Sequence, residues 1–209
     1  MPTDVVYFVT DIECSGFSPG ANSMLSFATV AVAASGGEGA GEFRGQFETV
    51  LAELPEASWD PGTRTWFETE EPAALAAATT DPRDPAAVMD EYAAWVRGFE
   101  ATRIFTASPL AFDGIWIDHY LRRFTPYGLV MGPYAVDPPF HDALCLRSYA
   151  AAVTGRVVTD VSPRTLPPEW FGQVEHTHRA IDDALGYAHL LIELLGHTAS
   201  AGRVPSDGP

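Results

Sequence analysis

Val5-Val6-Tyr7-Phe8-Val9-Thr10-Asp11-Ile12-Glu13 is the stretch that decides the fold of this chain. Its apolar part, Val5–Thr10, is rich in β-branched and aromatic side chains and predicts a buried central strand. Asp11 and Glu13 follow at once, and alternation along an extended chain places both carboxylates on one side. Carboxylates in this position need water, partners or a metal, and α/β sheets bind ligands at the carboxyl ends of their strands.

The rest of the chain predicts one mixed α/β domain over residues 1–195. Met24–Ala34 and Phe43–Val50 predict a hairpin that turns at Ser35–Gly39. Helices and short strands then alternate, which predicts a mixed sheet with helices on its faces, followed by a flexible tail, Gly196–Pro209. The other predicted elements are the helices Asp60–Glu68 and Ala86–Phe99, the strand Arg103–Ala107, the helix Asp113–Phe124, the strand Phe140–Leu144, a helix ending near Thr154, a surface loop Val157–Gly172 and a final helix Glu175–Leu195.

Composition indicates a folded domain in a reducing compartment. The chain has 209 residues, of which 46% are hydrophobic and 11% aromatic, enough to bury a substantial core. No apolar run is long enough for a membrane span, and Met1–Asp4 runs into a strand without a signal-peptide pattern. Two cysteines, Cys14 and Cys145, make no disulfide framework, so we expect a cytoplasmic protein.

Two further groups carry acidic residues or histidine. Phe112-Asp113 follows the strand Arg103–Ala107, where the aspartate can join a site or simply complement a helix dipole. His178 and Asp183 are five residues apart, so they suit a helix that begins near His178, with Asp183 facing the sheet.

Neighbouring residues offer alternatives to this pair. His176-Thr177-His178 could form a separate transition-metal site, although no third ligand with familiar spacing accompanies it. Asp182 competes with Asp183, but is expected to face solvent or to cap the helix.

Few chemistries use four carboxylates beside one histidine. The leading one is phosphodiester hydrolysis with two divalent cations, in which the acids hold the ions and the histidine activates water. The net charge of −16, with twelve arginines and no lysine, argues against tight binding of a long polyanion. It predicts weak non-specific binding and a substrate engaged at one end.

Together the clusters resemble the DEDDh branch of the 3′–5′ exonucleases, which includes proofreading subunits, ribonuclease T and oligoribonuclease. Asp11-Ile12-Glu13-Cys14-Ser15-Gly16 is similar to the first motif of that family, Phe112-Asp113 to the second, and His178 through Asp183 to the third. Thr63–Phe67 is similar to a threonine–tryptophan segment of bacterial and phage exoribonuclease-like members. The resemblance covers roughly Val5 to Leu195.

The resemblance implies a ribonuclease-H-like fold with a five-stranded mixed sheet flanked by helices, and two Mg²⁺ or Mn²⁺ ions. Asp11 would bridge the ions, Glu13 and Asp183 would complete the first site, and Asp113 would hold the second. His178 would act as general base, and the product would be a nucleoside 5′-monophosphate.

Substrate contacts follow less directly. Pro109 replaces the asparagine usual before the second motif, and Cys14 replaces a threonine or other small residue. The candidate contacts to the 3′-terminal nucleotide are Cys14, Ser15, Gly16, Met24, Leu25 and Phe112. Trp66 and Trp116 are expected in the core.

The substrate is expected to be the 3′ end of single-stranded RNA or DNA, with RNA favoured by the threonine–tryptophan segment, and a homodimer is expected by analogy. The alternatives are a phosphodiesterase of short oligonucleotides and a non-catalytic binding module on the same fold. Clustered carboxylates argue against the binding module, because such a module gains little from uncompensated charge.

Overall fold

The computed structural model describes residues 4–34, 41–132 and 134–201, in which five strands form one mixed sheet. The order across the sheet is β3-β2-β1-β4-β5, with β1 and β4 parallel and the β1–β2–β3 meander antiparallel. The strands are β1 (Val5–Cys14), β2 (Met24–Ala34), β3 (Glu42–Val50), β4 (Thr102–Ala107) and β5 (Asp142–Cys145).

The central strand β1 continues past its parallel neighbour. Its pairing with β4 ends at Thr10 opposite Ala107, whereas its pairing with β2 continues to Glu13 opposite Ser26. The last part of β1 therefore has a strand on one side only. This leaves an open notch at the carboxyl end of the sheet, where a ligand can be bound.

Six α-helices flank the sheet in the described part of the chain. Asp60 caps the first helix and Asp84 the third, each accepting a hydrogen bond from a backbone N–H and each followed by proline, as the Asp-Pro pairs predict. The helices are α1 (Pro61–Thr69), α2 (Pro72–Thr79), α3 (Pro85–Arg97), α4 (Leu110–Phe124), α5 (Leu146–Thr154) and α6 (Ala180–Ala201).

Each face of the sheet has its own apolar core. On one face, Phe8 and Phe105 pack with Tyr92 of α3 and Trp116 of α4. On the other face, the buried side chains of β1 and β2 pack with those of α5 and α6. Successive residues of β1 thus contribute to opposite cores, which fixes the side to which each residue of its polar end points. None of the helices within residues 4–34, 41–132 and 134–201 is long and apolar enough to cross a membrane.

Several predicted boundaries were wrong. The final helix begins at Ala180 rather than Glu175, because His178 has a positive φ of 55° that interrupts a helix, and it continues past Leu195 to Ala201. Residues 196–201, the first part of the predicted tail, are therefore helical, and residues 202–209 lie outside the described part of the chain. The predicted turn Ser35–Gly39 also lies outside it.

The remaining differences concern short elements. Helix α2 was not predicted, although Pro72 opens an alanine-rich run that favours helix. Strand β5 begins at Asp142 rather than Phe140, and Phe140 is a fully buried core residue. The predicted surface loop Val157–Gly172 contains two 3₁₀ turns and is anchored by buried Val161, Leu166 and Phe171.

Candidate active site

Asp11 and Glu13 project from the open end of β1 toward helix α6. Between and after them, Ile12 and Cys14 belong to the core on the α3 and α4 side, so alternation turns the two acids to the opposite face. Carboxylate oxygens of Asp11, Glu13 and Asp183 all lie within 4.8 Å of one another. The structure thus brings together three of the predicted acids from the two ends of the chain.

Asp113 approaches the same point from the first turn of α4. Its carboxylate is buried, and its pKa is affected by its own backbone N–H and by that of Ile12, next to Asp11 on β1. The Ile12 amide is available because β4 ends before it can pair there. Its oxygen Oδ2 has no hydrogen-bond partner among the described residues, which leaves it available to a ligand.

The cluster carries more negative charge than the fold neutralises. Burial, followed by repulsion from Asp113, Glu13 and Asp183, raises the pKa of Asp11 well above its usual value. Burial and the same kind of repulsion raise the pKa of Glu13, and burial raises the pKa of Asp113 to about 7. Cations would relieve this repulsion and restore the ionised carboxylates.

Two histidines stand beside Asp183 on the segment that leads into α6. Ligand atoms of His176, His178 and Asp183 lie within 4.8 Å of one another, and the two imidazole centroids are 4.5 Å apart. Thr177, between the histidines, donates a hydrogen bond of 2.7 Å to Asp182. Asp182 therefore fixes the segment before the helix, while Asp183 faces the carboxylate cluster.

His176, rather than His178, makes the short contact with Asp183. Its Nδ1 lies 2.6 Å from Asp183 Oδ1, and this contact raises the pKa of His176. Among the described residues Oδ1 has no hydrogen bond of good geometry, so this short contact with His176 satisfies it only in part. His178, the predicted base, packs instead against Trp66, with ring centroids 5.1 Å apart.

An apolar cavity of about 380 Å³ opens on the α1 side of Glu13. Trp66 and Phe112 line it, and Phe17, 70% exposed, stands at its edge. Trp66 was predicted to be a core residue, but it is 36% exposed and lies between this cavity and His178. The next residue, Phe67, is the buried residue of α1. Because adjacent residues of a helix point in different directions, the helical pattern could have revealed that Trp66 is exposed.

The predicted substrate contacts Ser15, Met24 and Leu25 do not line this cavity, so the structure contradicts this part of the prediction. Ser15 and Met24 are fully buried and Leu25 is 1% exposed. The Ser15 hydroxyl accepts a hydrogen bond from the Ser23 N–H, and the Met24 N–H donates to the hydroxyl of Tyr120. These residues support the strand from behind the site.

The other predicted contacts line the cavity: Cys14, Gly16 and Phe112. Burial raises the pKa of the Cys14 thiol to about 12, and this thiol donates to the Gly16 carbonyl, so it is a neutral wall residue. A side chain at Gly16 would collide with Asn22 at 2.4 Å, which explains the glycine.

A second cavity, of about 290 Å³, lies on the other side of Asp183. It is lined by His176, Asp183 and Tyr187 together with the 3₁₀ turn around Phe171. Burial and the nearby carboxylates raise the pKa of Tyr187, so its hydroxyl stays neutral beside the acids. Ions and water can reach His176 and Asp183 through this cavity.

Solved structures of nucleases have the same fold. The nuclease domain of 3'hExo, a DEDDh family member bound to rAMP, matches with a TM-score of 0.61 and 9% identity, over 93% of this chain and 92% of that one. E. coli exonuclease I in complex with a dT13 oligonucleotide matches with a TM-score of 0.60 and 14% identity, over 95% of this chain and 42% of the other. This chain thus spans less than half of exonuclease I.

Neither a protein-family model nor a curated protein sequence matches the chain. The predicted ribonuclease-H-like α/β fold, a five-stranded mixed sheet flanked by helices, is confirmed. Its structural neighbours include a DEDDh nuclease domain, the class that the three motifs predicted.

Proposed function

We propose that this protein is a metal-dependent 3′–5′ exonuclease that removes nucleoside 5′-monophosphates from the 3′ end of single-stranded nucleic acid. The observation that carries the proposal is the meeting of Asp11, Glu13, Asp113 and Asp183 beside a histidine at the open end of β1. A scaffold without a ligand gains nothing from burying mutually repelling carboxylates, whereas a hydrolase that uses cations requires them.

The donors fit two divalent cations, Mg²⁺ or Mn²⁺. All four are carboxylates, which hard cations prefer. Among the described residues, buried Oδ2 of Asp113 and Oδ1 of Asp183 have no hydrogen bond of good geometry. Asp11 would be shared between the ions, with Glu13 and Asp183 on the first and Asp113 on the second. Such ions, when bound, supply charge stabilisation at the scissile phosphate and acidify the attacking water.

His178 is the proposed general base. Its ring lies against Trp66 on one side and His176 on the other, and its ligand atoms lie within 4.8 Å of those of Asp183. This places it at the border of the carboxylate cluster, where it can accept a proton from the attacking water. Two neighbouring rings restrict its orientation, which favours a single proton-accepting geometry.

The cavity beside Glu13 is the proposed site for the 3′-terminal base. Its aromatic lining, Trp66, Phe112 and exposed Phe17, offers flat apolar surfaces on which any base can stack. None of the described residues that line the cavity is an arginine, so the proposed recognition depends on stacking rather than on contacts with phosphates. We favour RNA over DNA on the resemblance of Thr63–Phe67 to exoribonuclease-like members.

A small substrate is the second candidate. The net charge of −16 disfavours a long polyanion, and the cavity is confined to the neighbourhood of the carboxylates. Cleavage rates on a dinucleotide and on a twenty-residue strand separate the two proposals. A faster reaction on the dinucleotide would identify a phosphodiesterase of short oligonucleotides.

The cellular setting is also a proposal. Cys14 and Cys145 are both unpaired, which supports a reducing cytoplasm. A homodimer is expected by analogy, and sedimentation equilibrium measures it.

The test of the function is digestion of matched 5′-labelled single-stranded RNA and DNA in Mn²⁺. We expect a descending ladder with the wild type and with Asp90→Asn, a control that alters an exposed carboxylate on α3. Asp11→Asn should abolish the ladder because it removes the shared ligand. A ladder that survives Asp11→Asn, or no shortening of the strands or of a dinucleotide, would contradict the proposal, and the second result would favour a binding module.

A further inference from the structure

The two histidines and Asp183 form a ligand set of their own. Their ligand atoms lie within 4.8 Å of one another, and this supplies the third ligand that the His176-Thr177-His178 pattern lacks in sequence. Two imidazoles and one carboxylate are the donors of Zn²⁺ and Co²⁺ sites, whereas Mg²⁺ prefers oxygen donors alone. We propose that His176, His178 and Asp183 form a transition-metal site that binds Zn²⁺ in competition with the cations of the carboxylate cluster.

The state of Asp183 is the independent observation that points to a ligand. Its side chain is 2% exposed, and among the described residues its buried Oδ1 has no hydrogen bond of good geometry, only the short contact with His176. A buried acceptor that is satisfied only in part is costly, and a cation held by the same imidazole would satisfy it fully. His176, 41% exposed, lies on the open side, where the cavity of about 290 Å³ gives an ion access.

The geometry requires only a local adjustment. Ligand atoms around a tetrahedral zinc ion are roughly 3.3 Å apart. His176 Nδ1 and Asp183 Oδ1, now 2.6 Å apart, would separate by well under the length of a bond. Three protein ligands leave the fourth position for water, and His176 lies outside regular secondary structure, so its ring can move.

Occupation of this site would stop the proposed reaction. Asp183 belongs both to this group and to the group with Asp11 and Glu13, so one carboxylate serves two competing ions. His178, bound through a ring nitrogen, could no longer accept a proton from water. The proposed metal binding is argued from the geometry of the three side chains alone, whereas the proposed inhibition also rests on the proposed function.

The first experiment is a Co²⁺ titration of the full chain, followed by visible absorption. Four-coordinate Co²⁺ with nitrogen ligands absorbs strongly, whereas six-coordinate Co²⁺ on carboxylates absorbs weakly. We expect an intense band that saturates at one equivalent in the wild type and in Asp11→Asn, and that Zn²⁺ displaces. His176→Ala should weaken Co²⁺ binding at least tenfold, and His178→Ala should do the same.

The matched control is His197→Ala, which alters an exposed histidine near the end of α6 that contacts the Glu193 carbonyl and packs on Trp170. It should leave the band unchanged. No intense band in the wild type, or an unchanged band in His176→Ala, would overturn the site. Circular dichroism establishes that each variant is folded.

The second experiment measures Zn²⁺ inhibition of Mn²⁺-dependent cleavage, relative to the zinc-free rate of each variant. We expect His176→Ala to require at least ten times more Zn²⁺ for half inhibition than the wild type or His197→Ala. Equal sensitivity would overturn the competition. If the protein cleaved no nucleic acid, the Co²⁺ band would still report the site, so failure of the function and failure of the site are separate results.

Discussion

Trp66 meets the ring of His178 edge to face, with centroids 5.1 Å apart and ring planes at 90°. The same indole lines the apolar cavity beside Glu13. One side chain therefore contacts both the proposed base and the proposed site for the terminal nucleotide. This arrangement links substrate binding to the orientation of the histidine.

Replacement of Trp66 should slow turnover through His178. Aromatic contacts of this kind contribute about 0.5–1.5 kcal/mol, so we expect Trp66→Leu to lower the single-turnover rate roughly twofold to tenfold. Trp66→Phe should recover part of the loss. Trp170→Leu is the control because Trp170 pairs with His197 at a similar 5.0 Å, away from the carboxylates. An equal loss with Trp170→Leu would show that the effect is general destabilisation.

The two histidines should differ in their effect on chemistry. His178→Ala should slow cleavage by on the order of a hundredfold to ten-thousandfold while Mn²⁺ and substrate still bind. His176→Ala should lose about tenfold or less, since its contact with Asp183 is replaced when cations bind that carboxylate. Single-turnover rates at saturating Mn²⁺ decide this. The larger loss in His176→Ala would transfer the role of base to His176.

Removal of divalent ions should make stability depend on pH through Asp113. Its pKa is about 7 in the folded chain and about 3.9 when unfolded, so folding favours the protonated form. The contribution of Asp113 to the free energy of unfolding is therefore greatest below about pH 4 and is lost as pH rises through about 7. We expect Tm in EDTA to fall between pH 5 and pH 8.

Asp113→Asn removes this titration. The variant should melt above the wild type at pH 8 in EDTA, and its pH slope should be smaller but not zero, because Asp11 and Glu13 also have raised pKa values. Mn²⁺ should raise the Tm of the wild type more than that of the variant. Identical pH slopes for the two proteins would show that Asp113 is not protonated in the ion-free fold.

Gly16 should tolerate no side chain. A Cβ there would lie 2.4 Å from Asn22, whose amide donates to the Ser58 carbonyl and whose oxygen accepts from the Ser18 N–H. Gly16→Ala should therefore cost about 1–3 kcal/mol in urea denaturation. Gly186→Ala is the control and should raise the stability instead, because the nearest atom to its Cβ is 3.8 Å away and alanine favours the helix.

The meeting of Asp11, Glu13 and Asp183 could be predicted from the sequence because their directions follow from local geometry, while their role as ligands stays a prediction. Alternation along β1 settled the common side of Asp11 and Glu13, and helical phase settled that Asp183 faces the sheet. The hairpin, the Asp-Pro helix starts and the mixed sheet followed from similarly local rules.

The failures are tertiary in origin. Met24 and Ser15 follow the acid motif closely, yet packing against Tyr120 and Ser23 turns them away from the cavity. Trp66 reaches His178 from a distant part of the chain, a contact that no local pattern specifies. The close approach of His176 to Asp183 depends on the positive φ at His178, which the sequence did not indicate.

Mn²⁺ binding, measured by isothermal titration calorimetry, tests the central claim most directly, because it asks whether the carboxylates at the end of β1 form a cation site. We expect two ions per chain for the wild type and for Asp90→Asn, and the loss of at least one ion in Asp11→Asn. No binding by the wild type, or unchanged binding by Asp11→Asn, would contradict the claim that these acids hold the cations of a nuclease.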